Sequence, residues 1–143
     1  MAEQTCVFCK IVAGNIPATM VWDSPWAVAF LDINPAAPGH LLLVLREHFS
    51  DLADVPGSLL SAALTELPRL ARAVRAATGA EGLNVIQNNG PVAGQVIPHV
   101  HFHLIPRQAD DKVTVRWEQG SYESEEAMRA IAERIRTQLN TGS

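Results

Sequence analysis

Three histidines alternate with apolar residues in the stretch from Pro98 to Pro106. Strict alternation predicts a half-buried β-strand, with His99, His101 and His103 on one face and the intervening apolar residues in the core. Imidazoles bind metals, transfer protons and act as nucleophiles. The stretch therefore indicates a metal site, a nucleophilic site, or both, and a half-exposed strand that happens to be rich in histidine is the alternative.

The other residues that could do such chemistry lie in two short clusters. His40 and His48 flank the apolar run Leu41–Leu45, and Cys6 and Cys9 stand in a C-x-x-C spacing. With two cysteines close together, the pair fits a metal site or a redox pair better than a disulfide framework.

Composition limits the classes of protein to which the chain can belong. Its 143 residues, with a mass of 15.5 kDa and 48% hydrophobic residues, fit one compact domain with a core of its own. The formal net charge of -4 gives no global basic field that would attract nucleic acid. We find neither a signal peptide nor an apolar run of the roughly 20 residues that a membrane span needs. We therefore expect a cytoplasmic protein without membrane contact, and we do not expect nucleic acid as a partner.

Five strand-like segments, a further short one at residues 114–117 and three helical segments must position these groups. A short helix from Cys6 to Ala13 places both cysteines near its start. A long helix from Asp54 to Thr78 has Asp54 as a candidate cap, one apolar stripe and an expected kink at Pro68. Ser124 is the expected cap of a last helix. The expected strands, which indicate an α+β fold on a mostly antiparallel sheet, cover residues 20–22, 26–31, 41–45, 83–87 and 98–106.

The stretch His99-Val100-His101-Phe102-His103-Leu104-Ile105 resembles the defining motif of the histidine triad (HIT) family. The chain resembles the Hint branch of that family, in its zinc-containing bacterial type, at residues 6–11, 16–17, 30–35, 38, 40, 88 and 94–95. We expect a single HIT domain over residues 1–143, with a core match over 6–106 and a C-terminal extension over 107–143. The resemblance implies a five-stranded antiparallel sheet with a short N-terminal helix, a long helix and a C-terminal helix. It also implies a homodimer with one continuous sheet, which would cover an exposed edge strand.

The resemblance implies an enzyme that cleaves the α-phosphate bond of purine nucleotide derivatives, such as adenosine 5′-phosphoramidate, through a nucleotidyl-histidine intermediate. His101 would be the nucleophile, because an imidazole whose Nδ1 proton is held by an acceptor presents a free Nε2. His103 would contact the phosphate and protonate the leaving group with an ordinary pKa of about 6.5. His40 would order the protons behind this pair.

Three other functions compete with this one. Cleavage of diadenosine polyphosphates is the alternative within the enzyme class. A non-catalytic module that binds nucleotides or zinc is the alternative outside it. A DNA deadenylase agrees poorly with the net charge of -4.

The other family positions supply groups that would bind the nucleotide. Asp32 would accept hydrogen bonds from the ribose hydroxyls, and the amides of Asn88 and Gln95 would steady the α-phosphate. Val96 stands where many Hint relatives have a serine or threonine, so that one hydroxyl contact to the phosphate is missing. The expected apolar pocket for the base consists of Val7, Phe8, Ile11, Phe30 and Ile33.

The same resemblance implies that Cys6, Cys9, His48 and His99 would hold a structural zinc. Two thiolates and two imidazoles close a four-coordinate shell, so this zinc would tie the N-terminal helix to the sheet without taking part in catalysis. A redox pair at Cys6 and Cys9 is the competing interpretation, and it leaves both histidines without a role.

Overall fold

The structure is a computed structural model that describes residues 2–141. Contacts between residues divide the chain into two units, Met1–Val113 and Thr114–Ser143. Every site residue expected from the sequence belongs to the first unit. The assignment of the whole chain to one domain stays a prediction.

An antiparallel sheet organises the first unit. Within the described residues its strands are β1 (Met20–Asp23), β2 (Ala27–Leu31), β3 (Leu41–Leu45), β4 (Gly82–Ile86) and β5 (His101–Arg107). Their order across the sheet is β1-β2-β3-β5-β4, and all neighbours are antiparallel. The histidine strand β5 therefore has a neighbour on each side. This confirms the five-stranded antiparallel sheet. The further short strand expected at residues 114–117 was wrong, because that segment pairs with no strand among the described residues.

Different helices cover the two faces of this sheet. Helices α2 (Gly57–Leu64) and α3 (Leu67–Thr78) pack on the face that carries Leu43, Phe102 and Leu104. Helix α1 (Val7–Val12) packs on the face that carries Phe30 and Val44.

The register of the sheet decides which helix the histidines face. His101 lies opposite Val44 and His103 lies opposite Leu42 on β3. Because residues directly opposite each other in an antiparallel pair share a face, both histidines lie on the α1 side.

The expected strand over residues 98–106 differs from β5 at its start. The His99 N–H donates to the carbonyl of Ile97 at 2.8 Å, so the chain is still turning there and the strand begins at His101. The expectation of a half-buried strand was wrong, because His101, Phe102 and Leu104 are all buried. Helices on both faces of the sheet are the reason.

The expected long helix from Asp54 to Thr78 was wrong in its continuity, because a break separates α2 from α3. Pro68 lies in the first turn of α3, where the N–H that proline lacks would have had no partner within the helix. A new helix thus starts where a kink was expected. Asp54 belongs to a short 3-10 helix, and the residue at the start of α2 is Pro56, so the expected cap was also wrong.

The second unit contains α4 (Glu125–Thr141). The hydroxyl of Ser124 accepts a hydrogen bond from the Ala127 N–H at 3.0 Å, which confirms the expected cap. Among the described residues, no helix is both long enough and apolar enough to span a membrane.

Candidate active site

His101 is the first residue of β5, and it is 7% exposed. Its Nδ1 lies 2.6 Å from the backbone oxygen of His99. Because a carbonyl oxygen only accepts, this bond places the ring proton on Nδ1 and leaves the lone pair on Nε2. Burial lowers the pKa of His101, against the opposing effects of the bond to His99 and the charge of Asp32. The side chain is therefore a neutral imidazole with a free Nε2, the form that a nucleophile needs.

His103 is joined to His40 by a hydrogen bond between their rings. Nδ1 of His103 lies 2.9 Å from Nε2 of His40, and Nδ1 of His40 accepts from the Ala36 N–H at 3.0 Å. Burial lowers the pKa of His103 to about 4, and the neighbouring rings of His101 and His40 act in the same direction. Burial also lowers the pKa of His40. The pKa of His103 therefore lies well below the ordinary value on which its expected role as a proton donor rested.

Asp32 follows directly after β2, beside these histidines. Its Oδ1 accepts from the Asn34 N–H at 2.9 Å, and its Oδ2 lies 3.7 Å from Nε2 of His40. Asp32, His40 and His103 bring metal-ligating atoms within 4.8 Å of one another. The hydrogen bond between the two rings already uses the lone pair of His103 Nδ1, so hydrogen bonding accounts for this group.

A pocket of about 450 Å³ opens beside the histidines, and its volume lies in the range of small-molecule sites. It is lined by His101, His103 and Asp32, and by all five residues of the expected apolar base pocket. The sequence analysis missed Leu42, which only the register opposite His103 reveals. The other lining residues that it did not assign to the base pocket are Ile16, Pro17, Ala18, Leu31, Asn34, Gly94, Val96 and Ile97.

Asn88 and Gln95 are described by the structure but do not line this pocket. The side-chain oxygen of Gln95 accepts from the Gly90 N–H at 2.8 Å, and its nitrogen donates to the carbonyl of Ser50 at 2.8 Å. The amide of Gln95 thus holds the loop that leads to β5. Binding of the phosphate by Asn88 and Gln95 stays a prediction.

Four candidate metal ligands converge at the start of α1. Sγ of Cys6 lies 3.4 Å from Nδ1 of His99, Sγ of Cys9 lies 3.3 Å from Nδ1 of His48, and the two Nδ1 atoms are 3.1 Å apart. A tetrahedral zinc separates such ligands by about 3.3–3.8 Å, given the usual bond lengths to sulfur and nitrogen, so only the distance of 3.1 Å between the two nitrogens is slightly short. Nε2 of His99 donates to the carbonyl of Leu45 at 2.6 Å, which leaves its Nδ1 free to ligate. These four residues fit a metal ion.

Phe8 connects this cluster with the pocket. Its ring stands edge-on to those of Phe30, His99 and His101, with centroids 5.5, 5.9 and 4.9 Å away. Cys6 and Cys9 lie on either side of Phe8 in the chain, and the Cys9 N–H donates to Sγ of Cys6 at 3.4 Å. The residues that could hold a metal therefore also position one wall of the pocket.

Known proteins share both the sequence and the fold. The HIT domain model matches residues 13–110. Adenosine 5′-monophosphoramidase hnt1 of Schizosaccharomyces pombe is 36% identical over 137 residues, which cover 94% of this chain and 98% of that protein. Adenylylsulfatase HINT3 of Arabidopsis thaliana is 38% identical over 109 residues, which cover 76% of this chain but 55% of that protein's length.

Two solved structures illustrate the likeness. A HIT family member from Bacillus subtilis superposes with a TM-score of 0.91 at 34% identity, covering 98% of this chain and 100% of that chain. A zinc-bound histidine triad protein from Mycobacterium smegmatis superposes with a TM-score of 0.72 at 34% identity, covering 93% of this chain and 96% of that chain. The chain therefore belongs to the HIT domain family, among homologues of the Hint type.

Proposed function

We propose that the protein is a nucleotide hydrolase or transferase that cleaves the α-phosphate bond of adenosine derivatives such as adenosine 5′-phosphoramidate. The observation that carries this proposal is the neutral His101, with its Nδ1 proton held at 2.6 Å and its Nε2 free, in a pocket with apolar walls. The name of the S. pombe relative, a monophosphoramidase, supports the same activity.

The reaction proceeds in two transfers at phosphorus. Nε2 of His101 attacks the α-phosphorus while the P–N bond breaks, which gives a nucleotidyl-histidine and an amine that takes its proton from water. Water then attacks the same phosphorus and releases the nucleotide and His101. The apolar walls hold the base, and the carboxylate of Asp32 accepts hydrogen bonds from the ribose hydroxyls. The Nε2 proton of His103 bonds to a phosphate oxygen as charge develops there.

Turnover of adenosine 5′-phosphoramidate by the wild type and by His101→Ala tests this proposal. We expect kcat/KM to fall by about 10³-fold or more in the variant, because it lacks the nucleophile. Thermal melting and light scattering of the variant control for its folding and assembly. A wild type that binds AMP but cleaves neither this substrate nor a diadenosine polyphosphate would refute the enzyme and favour a binding module.

We also propose that zinc occupies the cluster of Cys6, Cys9, His48 and His99 as a structural ion. The convergence of the four ligand atoms within 4.8 Å of one another and the zinc-bound M. smegmatis neighbour support this assignment. Metal analysis of freshly purified protein should find one zinc per chain, with both thiols protected until a chelator is added. Freely reactive thiols without metal would favour the redox pair instead.

We also propose that the protein forms a homodimer and is located in the cytoplasm. Strands β1 and β4 are the edges of the sheet, and they carry the exposed side chains of Val21 (55%) and Val85 (46%). Such edges favour pairing with a second copy of the chain. Cys6 and Cys9 form no disulfide bond, which suits a reducing compartment.

A further inference from the structure

The hydrogen-bond chain behind the phosphate site starts at a group that cannot change its protonation. The Ala36 N–H is a peptide donor, and it donates to Nδ1 of His40 at 3.0 Å. Nδ1 of His40 must therefore keep its lone pair, so the ring carries its proton on Nε2. That Nε2 lies 2.9 Å from Nδ1 of His103, so His40 donates and His103 accepts. His103 is left with its own proton on Nε2.

The hydrogen bonds between Ala36, His40 and His103 leave no position for a second proton on His103. It would sit on Nδ1, where it faces the Nε2–H of His40. Moving the proton of His40 to its Nδ1 would relieve this contact but place that proton against the Ala36 N–H. In either arrangement two N–H donors face each other at hydrogen-bond distance. His40 is only 5% exposed, so water cannot accept from these donors, and a buried donor without an acceptor is strongly unfavourable.

The other titratable groups that face this pair are Asp32 and His101. Oδ2 of Asp32 lies 3.7 Å from Nε2 of His40, and its negative charge favours protonation of the pair. The imidazole of His101 and the burial of both rings oppose protonation, and the net result is a lowered pKa for His40 and His103. The electrostatics thus agree in direction with the hydrogen-bond geometry.

We infer that the Ala36 N–H, acting through His40, locks His103 as the neutral tautomer that carries its proton on Nε2. His103 is then a fixed N–H donor to the bound phosphate and does not transfer a proton to the leaving group. Val96 lines the same pocket and has no hydroxyl to relay one. A leaving amine must therefore take its proton from water, whereas a leaving group that is stable as an anion needs none, so the site favours leaving groups of the second kind. This consequence rests on the proposed function, whereas the tautomer is a property of the free protein.

Nitrogen-15 NMR of the histidine side chains in the folded wild type tests the lock directly. We expect His103 to show the pattern of a neutral ring protonated on Nε2, unchanged from pH 8 down to about one unit below the ordinary pKa of 6.5. A His103→Gln sample identifies its signals. A ring protonated on Nδ1, or one that titrates within this range, would overturn the inference.

The His40→Gln variant tests whether His40 controls the protonation of His103 or has only a structural role. The glutamine amide reaches the position of Nε2, but it can rotate and turn its oxygen toward a protonated His103. We expect the midpoint of His103 to rise from about 4 toward the ordinary value of 6.5, with burial still keeping it below that value, and the pH profile of kcat/KM to shift with it. An unchanged midpoint in a folded His40→Gln would show that His40 is not the cause.

The two proposals fail in different ways. A wild type that cleaves no adenylate contradicts the proposed function and leaves the NMR result intact. A cationic His103 in an active enzyme contradicts only the lock. Should His40→Gln fail to fold, the spectrum of the wild type still decides the inference.

Discussion

His101 and His103 stand two residues apart on one strand, but their hydrogen bonds give them different chemistry. Nδ1 of His101 donates to a carbonyl, whereas Nδ1 of His103 accepts from another ring. The first ring therefore presents a lone pair at Nε2 and the second presents a proton. A nucleophile and a phosphate donor thus arise from the same residue type through their partners.

The proposed hydrogen bonds between the carboxylate of Asp32 and the ribose hydroxyls can be tested at the scale of single residues. We expect Asp32→Asn to lower kcat/KM by about 10–100-fold, because a hydrogen bond to a charged group contributes about 1.5–3 kcal/mol. A substrate that lacks both ribose hydroxyls should show a similar loss with the wild type. If the variant still discriminates against that substrate by the same factor, Asp32 does not contact the ribose.

A substitution at Val96 is expected to increase activity, which is a second test at the scale of single residues. Its side chain is 85% exposed, so a serine there should not change stability. We expect Val96→Ser to raise kcat for the phosphoramidate by about 2–10-fold, the value of one hydrogen bond of about 0.5–1.4 kcal/mol to the phosphate or leaving group. Val96→Ala is the control for loss of the apolar side chain. Equal rates in the two variants would argue against a hydroxyl role at this position.

At the scale of elements, the end of α3 determines where His40 lies. Gly39 has a φ of +95°, and a Cβ there would clash with Cγ2 of Thr78. The hydroxyl of Thr78 also donates to the carbonyl of Val74 at 2.7 Å. Helix α3 and the loop before β3 therefore fit together only with glycine at position 39.

We expect Gly39→Ala to lower the free energy of unfolding by about 2–3 kcal/mol and to lower kcat, because backbone strain and the clash both displace His40. Urea denaturation and steady-state kinetics measure the two effects. Adding Thr78→Ser removes Cγ2 and keeps the hydroxyl, so the double variant should recover part of both losses. No recovery would mean that the strain at Gly39, and not the contact with α3, causes them.

The attachment of helix α1 to the sheet through the proposed zinc can also be tested. We expect Cys9→Ser to abolish zinc binding, to lower the free energy of unfolding by more than about 3 kcal/mol, and to raise KM more than it lowers kcat. The reason is that α1 carries Val7, Phe8 and Ile11, which line the pocket. Lys10→Ala on the same helix is the control and should change neither metal content nor KM. A zinc-free Cys9→Ser with unchanged stability would contradict a structural ion.

At the scale of the whole molecule, assembly can be tested through the edges of the sheet. A homodimer has twice the chain mass of 15.5 kDa, and light scattering at working concentration measures it. Val85→Glu on β4 and Val21→Glu on β1 form a matched pair, because each places a charge on one exposed edge. We expect one of them to give monomers and the other to leave the dimer intact. A wild type with the mass of one chain would refute the dimer.

The sequence by itself determined the features that depend on near neighbours in the chain. The run Leu41–Leu45 is β3 with the expected bounds, and Ser124 caps α4 as its side chain and position predict. The alternation in β5 correctly separates the face of His101 and His103 from the face of Phe102. Local propensity, capping and side-chain periodicity act within a few residues, so they can be read without knowledge of the fold.

Tertiary structure alone decided the features that depend on distant partners. The register of β5 against β3 brings Leu42 into the pocket, and Nε2 of His40 lies 2.9 Å from Nδ1 of His103, which is 63 residues further along the chain. The side-chain nitrogen of Gln95 donates to the carbonyl of Ser50, which lies 45 residues earlier in the chain. These outcomes follow from hydrogen bonds and packing between segments far apart in the chain, and only the folded arrangement brings such groups together.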